Sequence, residues 1–210
     1  MITVIDYGAG NLRSVCLALT KIGAEWQVSD KPDEILAAER VIFPGVGAAA
    51  SAVETLKARG LEEAIKSYVA SGKPFLGICL GTQIIFDHSE EDGGTDCLGL
   101  IKGDVKHFEF PADVRASVPH MGWNQVKTIK SHPLFKDIAQ DANFYFVHSY
   151  FPTPADDSLI LAQTDYSGVE FTCAIARENL AATQFHPEKS GKHGLQLLKN
   201  FMTWEGSENA

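Results

Sequence analysis

The sequence lacks the features that mark membrane, secreted and nucleic-acid-binding proteins. No apolar run approaches the roughly 20 residues that cross a bilayer, and the first residues show no basic leader or cleavage pattern. Positive charge is scarce, because 18 Lys and Arg stand against 27 Asp and Glu and give a net charge of −9. This balance argues against a generally basic surface for nucleic acid or anionic lipid. We therefore expect a cytoplasmic protein that binds neither nucleic acid nor membrane.

Cysteine is also scarce, and its spacing does not indicate a metal site. No two of the four cysteines have the Cys-x-x-Cys spacing of a zinc site, and no disulfide scaffold is indicated. We expect four free thiols in a reducing compartment, with no metal and no cofactor. Cys16 falls on the apolar face of a predicted helix, Cys173 in a predicted strand and Cys97 before a Leu-Gly-Leu run. Cys79 differs from these three, because its neighbours are typical of a reactive site.

The first half of the sequence alternates strand-like and helix-like segments. In order, we predict strand 2–6, a helix between Asn11 and Gly23, strands at 26–28 and 40–43, helices over 48–71 and strand 74–78. Such alternation predicts an α/β fold with an open, mostly parallel central sheet flanked by helices. Asn11 is expected to cap the first helix.

The second half contains mainly short strands. The acidic stretch 89–97 is expected to be a solvated loop. Beyond it, strand-like segments from 98–101 to 181–184 predict additional antiparallel strands, and 191–204 predicts a closing helix. The sequence contains no repeat, low-complexity tract or Pro/Ser linker, and 210 residues are within reach of one hydrophobic core. We expect one domain over 1–204 and a flexible tail over 205–210.

Residues 77–81 (Gly-Ile-Cys-Leu-Gly) lie where a buried strand is predicted to turn into a helix. The pattern is that of a nucleophile elbow in which cysteine replaces serine. Glycines flank the nucleophile because the sharp turn leaves no room for Cβ atoms. The start of a helix favours a thiolate, and the Leu80 N–H is placed to stabilise an oxyanion. Taken alone, the segment also fits a core cysteine between two glycines.

Residues 186–188 (His-Pro-Glu) supply a base beside a carboxylate. Pro187 favours an extended backbone at His186, which places the His186 and Glu188 side chains on the same side. A thiol nucleophile needs an imidazole to move its proton and an acid to orient that imidazole. Alone, the pair also fits a structural contact at a strand end. The elbow and the later His-x-Glu pattern together indicate a catalytic cysteine with its base far more specifically than either pattern does alone.

Residues 43–47 (Phe-Pro-Gly-Val-Gly) follow another predicted parallel strand, so they are expected at the same edge of the sheet as Cys79. A Gly-Val-Gly loop there can offer backbone N–H groups to an oxyanion. The loop looks superficially like a phosphate-binding loop, but the lysine and serine of a Walker A motif are absent. Nucleotide binding is therefore not expected.

Together these motifs resemble the class I, triad-type glutamine amidotransferases. The resemblance rests on 77–81 with Gln83 and on 186–188. The loop 44–47 (Pro-Gly-Val-Gly) is similar to that of the histidine-biosynthesis branch. It differs from the Gly-Pro-Gly loop of the anthranilate synthase glutaminases and from the Gly-Gly-Glu-Ser of the pyridoxal phosphate branch. Further agreement is found at 6–11, 119–124, 145–150 and 189–191.

The resemblance implies a reaction. Cys79 would attack the side-chain amide of L-glutamine, His186 would transfer protons and Glu188 would orient His186. By the same resemblance, a (β/α)8-barrel cyclase subunit receives the ammonia in a heterodimer, and one oxyanion donor points away until that partner is occupied. The implied residues are Val46, Gly47 and Leu80 for the oxyanion hole; Gly47, Gln83, His148, Ser149 and Tyr150 for glutamine; and Asn11, Met121, Trp123, Tyr145 and Lys189 for the partner.

Two departures and several alternatives stay open at this stage. Alanines at 48–50 follow the loop where the family usually has an aromatic residue, and Thr82 stands where methionine is common. They leave open the packing behind the loop and the shape of the pocket. The alternatives are a glutaminase for anthranilate or aminodeoxychorismate synthase, a stand-alone cysteine γ-glutamyl hydrolase and a regulatory subunit without turnover. Trp123 also fits a core position, and His148 and Tyr150 also fit packing at a strand end.

Overall fold

A computed structural model describes residues 1–8 and 10–206 of the chain. The helices are α1 (Leu12–Lys21), α2 (Pro32–Ala37), α3 (Ala49–Ala58), α4 (Leu61–Ala70), α5 (Leu80–Gln83) and α6 (Gly191–Thr203). The strands are β1 (Ile2–Ile5), β2 (Trp26–Ser29), β3 (Arg40–Gly45), β4 (Phe75–Cys79), β5 (His88–Ser89), β6 (Thr95–Asp96), β7 (Gly103–His107), β8 (His120–Thr128), β9 (Ala142–His148), β10 (Tyr150–Pro154), β11 (Ile160–Tyr166), β12 (Val169–Arg177) and β13 (Leu180–Thr183).

A nine-stranded mixed sheet organises the molecule, in the order β2-β1-β3-β4-β13-β12-β11-β8-β9. The strands from β2 to β13 are parallel. The strands from β12 to β9 continue the sheet in antiparallel fashion. A second, four-stranded sheet has the order β10-β7-β5-β6. The predicted fold class, a parallel α/β core with helices and additional antiparallel strands, is confirmed.

The parallel strands are buried on both faces, which explains their nearly continuous apolar sequences. Side chains alternate between the faces along β3: Ile42 packs in a cluster with α1 and α6, while Val41 and Phe43 pack in a cluster with α2, α3 and α4. Helices therefore cover both faces of this half of the sheet. The carboxyl ends of β3 and β4 meet at one edge, where Gly45 lies opposite Cys79.

Residues 98–101 form no strand, which corrects the prediction for this segment. Leu98 and Ile101 are buried and Leu100 is half-buried, but the backbone N–H groups of the segment donate to the carbonyl oxygens of Ile84, Ile85 and Phe86 at 2.8–2.9 Å. The apolar run thus reflects packing against the segment after the elbow. Helix α2 was not predicted, and β3 extends through Pro44 and Gly45.

Of the predicted tail, residues 207–210 lie outside the described part of the chain. Glu205 and Gly206 are described, and Glu205 lies 3.6 Å from the Arg40 guanidinium. Within the described residues, no helix combines the length and the apolar character that crossing a membrane requires.

Candidate active site

Cys79 sits at the turn between β4 and α5 with a strained backbone. Its φ of 54° and ψ of −108° are unusual for a residue with a side chain. The glycines on either side permit the turn: a Cβ at Gly81 would overlap the carbonyl oxygen of Phe43, and a Cβ at Gly77 would lie 3.0 Å from the carbonyl oxygen of Gly81. The geometry is that of the predicted nucleophile elbow.

The helix that follows the elbow is a single turn. Helix α5 ends at Gln83, because the next carbonyl groups are taken by the backbone of 98–101. Leu80 is the first residue of this turn, so its N–H has no partner within the helix. An N–H beside Cys79 is therefore placed as an oxyanion donor, with little contribution from a helix dipole.

His186 and Glu188 form the second part of the site. Nδ1 of His186 lies 2.7 Å from Oε1 of Glu188, and both side chains are fully buried. Burial alone would lower the pKa of His186, but hydrogen bonding and negative charge from Cys79 and Glu188 raise it to about 10. Nε2 of His186 makes no hydrogen bond of ordinary length among the described residues, so it is the nitrogen left to exchange a proton with Cys79.

Asn11 holds the carboxylate of this pair, which corrects its predicted capping role. It occupies the N-cap position of α1 with φ 76°, but its side chain makes no capping bond. Nδ2 instead donates to Oε1 of Glu188 at 2.7 Å. This left-handed backbone is one that asparagine tolerates, and it turns the amide toward the triad.

Ser190 fixes the backbone of His186 against strand β9. Its buried hydroxyl donates to the His186 carbonyl oxygen at 2.6 Å and accepts from the Tyr145 N–H at 2.9 Å. The His186 N–H in turn donates to the Tyr145 carbonyl oxygen at 2.9 Å. The imidazole is thereby tied to the strand that carries Tyr145.

A cavity of about 290 Å³ opens over Cys79 and gathers the oxyanion and glutamine residues predicted from the sequence. The predicted residues on its wall are Val46, Gly47, Cys79, Leu80, Gln83, His148, Ser149 and Tyr150. Glu91, Pro119 and Val147 complete the lining. Chain segments far apart in sequence therefore converge on one pocket. Among the described residues, no group of three or more His, Cys, Asp or Glu side chains could hold a metal ion.

His148 lies in the cavity wall with both ring nitrogens committed to the protein. Nδ1 donates to the Tyr150 carbonyl oxygen at 2.7 Å, so Nε2 accepts from Nδ1 of His120 at 3.1 Å. Burial lowers the pKa of His148 to about 3 and that of His120 to about 4, so both rings are neutral. This limits the predicted role of His148 in glutamine binding. Its ring can contribute to the shape of the pocket, but neither ring nitrogen is available to hydrogen-bond glutamine.

Gln83 is similarly engaged through its amide nitrogen. Nε2 donates to the Tyr150 carbonyl oxygen at 3.0 Å and to Oε1 of Gln184 at 3.1 Å. Its contribution to a ligand is consequently limited to Oε1. Thr82 next to it donates to the Thr183 carbonyl oxygen at 2.6 Å, so the departure from methionine adds a bond to β13 away from the pocket.

Glu91 is a site residue that the sequence did not reveal. It belongs to the acidic stretch that was expected to be a solvated loop, and that expectation is wrong for this residue. Oε2 accepts from the Ala49 N–H at 2.6 Å, at the start of α3. Its side chain also lines the cavity, and burial raises its pKa. Cys79 could be identified as a site residue by its flanking glycines. Glu91 is one carboxylate among several in an acidic stretch, so its sequence neighbours do not indicate a role in the site.

Three of the five residues predicted for partner contact bond directly to the triad: Asn11, Tyr145 and Lys189. Met121 and Trp123 are 62% and 57% exposed, so Trp123 is not a core residue. The rings of Trp123 and Tyr145 meet edge to face at 6.1 Å, and Nζ of Lys189 lies 5.9 Å above the Tyr145 ring. We call the surface predicted for partner contact, formed by Asn11, Met121, Trp123, Tyr145 and Lys189, the docking face.

The fold and the site together define a class of protein. The family described as "Glutamine amidotransferase class-I" matches residues 3–204. This chain belongs to that family. A solved structure titled "Crystal structure of glutamine amidotransferase" is similar with a TM-score of 0.73, 16% identity and coverage of 96% of this chain and 97% of that one, which shows the shared fold.

Relatives within the family narrow the comparison. The chain is 52% identical over 201 residues to "Imidazole glycerol phosphate synthase subunit HisH" of Dehalococcoides mccartyi (strain CBDB1), covering 96% of each. It is 51% identical over 211 residues to the protein of the same name from Dechloromonas aromatica (strain RCB), covering 97% of this chain and 96% of that relative. Full-length similarity at this level matches the branch that the Pro-Gly-Val-Gly loop indicates.

Proposed function

We propose that this chain is the glutaminase subunit of imidazole glycerol phosphate synthase. It hydrolyses L-glutamine to glutamate and ammonia for histidine biosynthesis. The observation that carries the proposal is the position of Cys79: it lines one cavity together with the Val46–Gly47 loop, and it interacts with His186, which is paired with Glu188. The relatives named HisH supply the identity of the synthase.

The reaction follows from the positions of the groups. The Cys79 thiolate attacks the amide carbon, and the oxygen that becomes negative is bound by the N–H groups of Leu80 and Gly47. His186 donates its proton to the departing amine, which leaves as ammonia and gives a glutamyl thioester. His186 then accepts a proton from water, whose oxygen attacks the thioester and releases glutamate. Glu188 keeps the imidazole oriented throughout.

The cavity offers acceptor groups for the α-amino end of glutamine. Glu91 is the carboxylate on its wall among the described residues, and it supplies the charge that an ammonium group needs. Oε1 of Gln83 is a second acceptor. Gly47, Ser149 and Tyr150 complete the pocket around the rest of the substrate.

Changing Glu91 to glutamine is expected to raise KM for glutamine by about tenfold or more, with kcat changed much less, because a hydrogen bond to a charged group contributes about 1.5–3 kcal/mol. The side-chain oxygen of Gln at position 91 can still accept from the Ala49 N–H, so the first turn of α3 should be unchanged. Steady-state kinetics measure the effect. Since burial raises the pKa of Glu91, this carboxylate is protonated at a higher pH than an ordinary glutamate, and KM of the wild-type protein should rise as the pH falls.

Glu90→Gln is the matched control for this substitution. Glu90 is adjacent in sequence and accepts from the His107 N–H at 2.9 Å, but it does not line the cavity. Its KM should stay within twofold of wild type. An unchanged KM for Glu91→Gln, or an equal rise in both variants, would contradict the assignment of Glu91.

The ammonia requires an acceptor, because in water it is largely protonated and poorly nucleophilic. We place that acceptor in a (β/α)8-barrel cyclase subunit that forms a heterodimer on the docking face, receives the ammonia through a channel and makes imidazole glycerol phosphate and AICAR. This partner acts as the lyase and activates the glutaminase allosterically. The four free thiols support a cytoplasmic location for the complex.

Reconstitution tests the proposed function. The chain is mixed with the barrel cyclase subunit of the same organism, and formation of imidazole glycerol phosphate is followed with glutamine or with ammonium as nitrogen source. We expect glutamine to support the reaction only when this chain is present. Stimulation of an anthranilate or aminodeoxychorismate synthase instead would assign the chain to another synthase. Hydrolysis of γ-glutamyl peptides in preference to glutamine would indicate a stand-alone hydrolase.

A further inference from the structure

The Tyr7 hydroxyl is a buried polar group that the mechanism above does not use. Tyr7 follows β1, is 4% exposed, and packs its ring against Phe43 with centroids 5.4 Å apart. Its hydroxyl oxygen has no hydrogen-bond partner among residues 1–8 and 10–206. A buried hydroxyl without a partner loses its hydration and gains nothing in return. Such a group is expected to form a hydrogen bond in another state of the protein.

The hydroxyl lies directly behind the oxyanion loop. A Cβ at Gly45, the residue before Val46, would overlap the hydroxyl oxygen of Tyr7, so the two are in close contact. Gly45 is paired with Cys79 in the β3–β4 register. Burial and, secondarily, the charge of Cys79 raise the pKa of Tyr7, which keeps the hydroxyl protonated and able to donate. An O–H donor is thus fixed beside the start of the loop.

The Val46–Gly47 peptide forms a wall between two cavities. Val46 and Gly47 line the catalytic cavity together with Cys79, and they also line a smaller cavity of about 110 Å³ together with Tyr7. In a trans peptide the C=O and N–H groups point in opposite directions. When the Gly47 N–H points into the catalytic cavity to bind the oxyanion, the Val46 carbonyl must point toward the side where Tyr7 lies.

We propose that Tyr7 is a positioning residue whose hydroxyl donates to the Val46 carbonyl oxygen when the Val46–Gly47 peptide turns its N–H toward the oxyanion. This inference rests on the proposed glutaminase function. Tyr7 does not line the catalytic cavity, so it acts through the loop and not on glutamine. Gly47, with φ 112°, allows the peptide to turn.

Other hydroxyls near the smaller cavity are less suited to this role. Ser51 is exposed to water, which can satisfy it. Thr55 already donates to the Ser51 carbonyl oxygen at 2.8 Å. Tyr7 is the donor there that is buried and uncommitted.

Tyr7→Phe tests the proposal because it removes only the oxygen atom. In the complex with the barrel cyclase subunit and the cyclase subunit's own substrate, kcat for glutamine should fall about tenfold while KM stays within twofold. That loss is below the roughly 10²–10³-fold effect of deleting an oxyanion donor, since the donor itself remains. The melting temperature of the isolated variant should be unchanged or higher, because the hydroxyl has no hydrogen-bond partner in the described part of the chain.

Tyr68→Phe is the matched control. Tyr68 is also buried, but its hydroxyl donates to the Pro74 carbonyl oxygen at 3.2 Å, away from the cavity. This variant should lose stability and keep kcat, the reverse of the pattern expected for Tyr7→Phe. An unchanged kcat in Tyr7→Phe, or a loss of kcat that parallels a lower melting temperature, would overturn the inference and leave the proposed function intact. A wild-type complex that does not hydrolyse glutamine would overturn both.

Discussion

Replacing Cys79 by alanine is expected to lower glutamine hydrolysis by about 10⁴-fold or more, because no other group at the cavity can form the thioester. The oxyanion donors and the substrate pocket stay in place, so the loss should appear in kcat. Ammonia release from saturating glutamine by the variant in complex with the cyclase subunit measures it. Wild-type turnover by Cys79→Ala would contradict the assignment of the nucleophile.

Two further variants serve as comparisons for Cys79→Ala. Glu188→Ala should retain measurable activity, reduced by about 10²–10⁴-fold, since the nucleophile and the imidazole remain and only the orientation of His186 is lost. Cys97→Ala should behave as wild type. Cys97 is a half-buried thiol whose pKa burial raises to about 11, so it is a poor nucleophile. A glutamine-like electrophile should accordingly alkylate Cys79 and spare Cys97.

His186 offers a readout of the Cys79 variant that does not depend on turnover. Hydrogen bonding and charge from Cys79 contribute to the raised pKa of His186, while burial opposes them. In Cys79→Ala the pKa of the imidazole should therefore fall, and NMR titration of the ring can follow it. The carboxylate of Glu188 remains at 2.7 Å, so part of the elevation should persist.

The parts of the site that the sequence predicted are those in which backbone geometry restricts residue type. The elbow requires glycine at 77 and 81 because neighbouring carbonyl oxygens occupy the space of a Cβ. The side-by-side placement of His186 and Glu188 follows from a spacing of two residues in an extended segment. Both are local rules, so a single sequence can reveal them.

The parts that escaped prediction depend on contacts between distant segments. Glu91 reaches the cavity because it accepts from the Ala49 N–H, 42 residues earlier in the chain. Asn11 meets Glu188 across 177 residues, so its expected capping role could not be corrected from local sequence. The commitment of both His148 nitrogens depends on His120 in the paired strand β8. Residue type alone did not distinguish these partners from ordinary surface or helix-end residues.

The isolated chain is expected to hydrolyse glutamine very slowly, and the complex with the cyclase subunit and its substrate about 10²–10³-fold faster. The magnitude is that of one oxyanion donor, since in the proposed function activation turns the Gly47 N–H toward the substrate. The docking face is well placed to transmit binding, since Tyr145 bonds through its backbone to His186 and to Ser190. Paired rate measurements on the free chain and the complex test the expectation. A high rate without the partner would contradict it.

Trp123→Ala tests whether the expected activation depends on the docking face, and Trp26→Ala is its control. Trp123 lies on β8 next to the edge strand β9, whereas Trp26 lies on β2 at the opposite edge of the nine-stranded sheet. Both are exposed, so each substitution costs little in core packing. Trp123→Ala should weaken binding of the cyclase subunit and reduce the stimulated rate, and Trp26→Ala should do neither. If both variants were activated like the wild type, the cyclase subunit would contact another part of the surface. The hydrogen bonds between Tyr145 and His186 would then not explain how partner binding affects the triad.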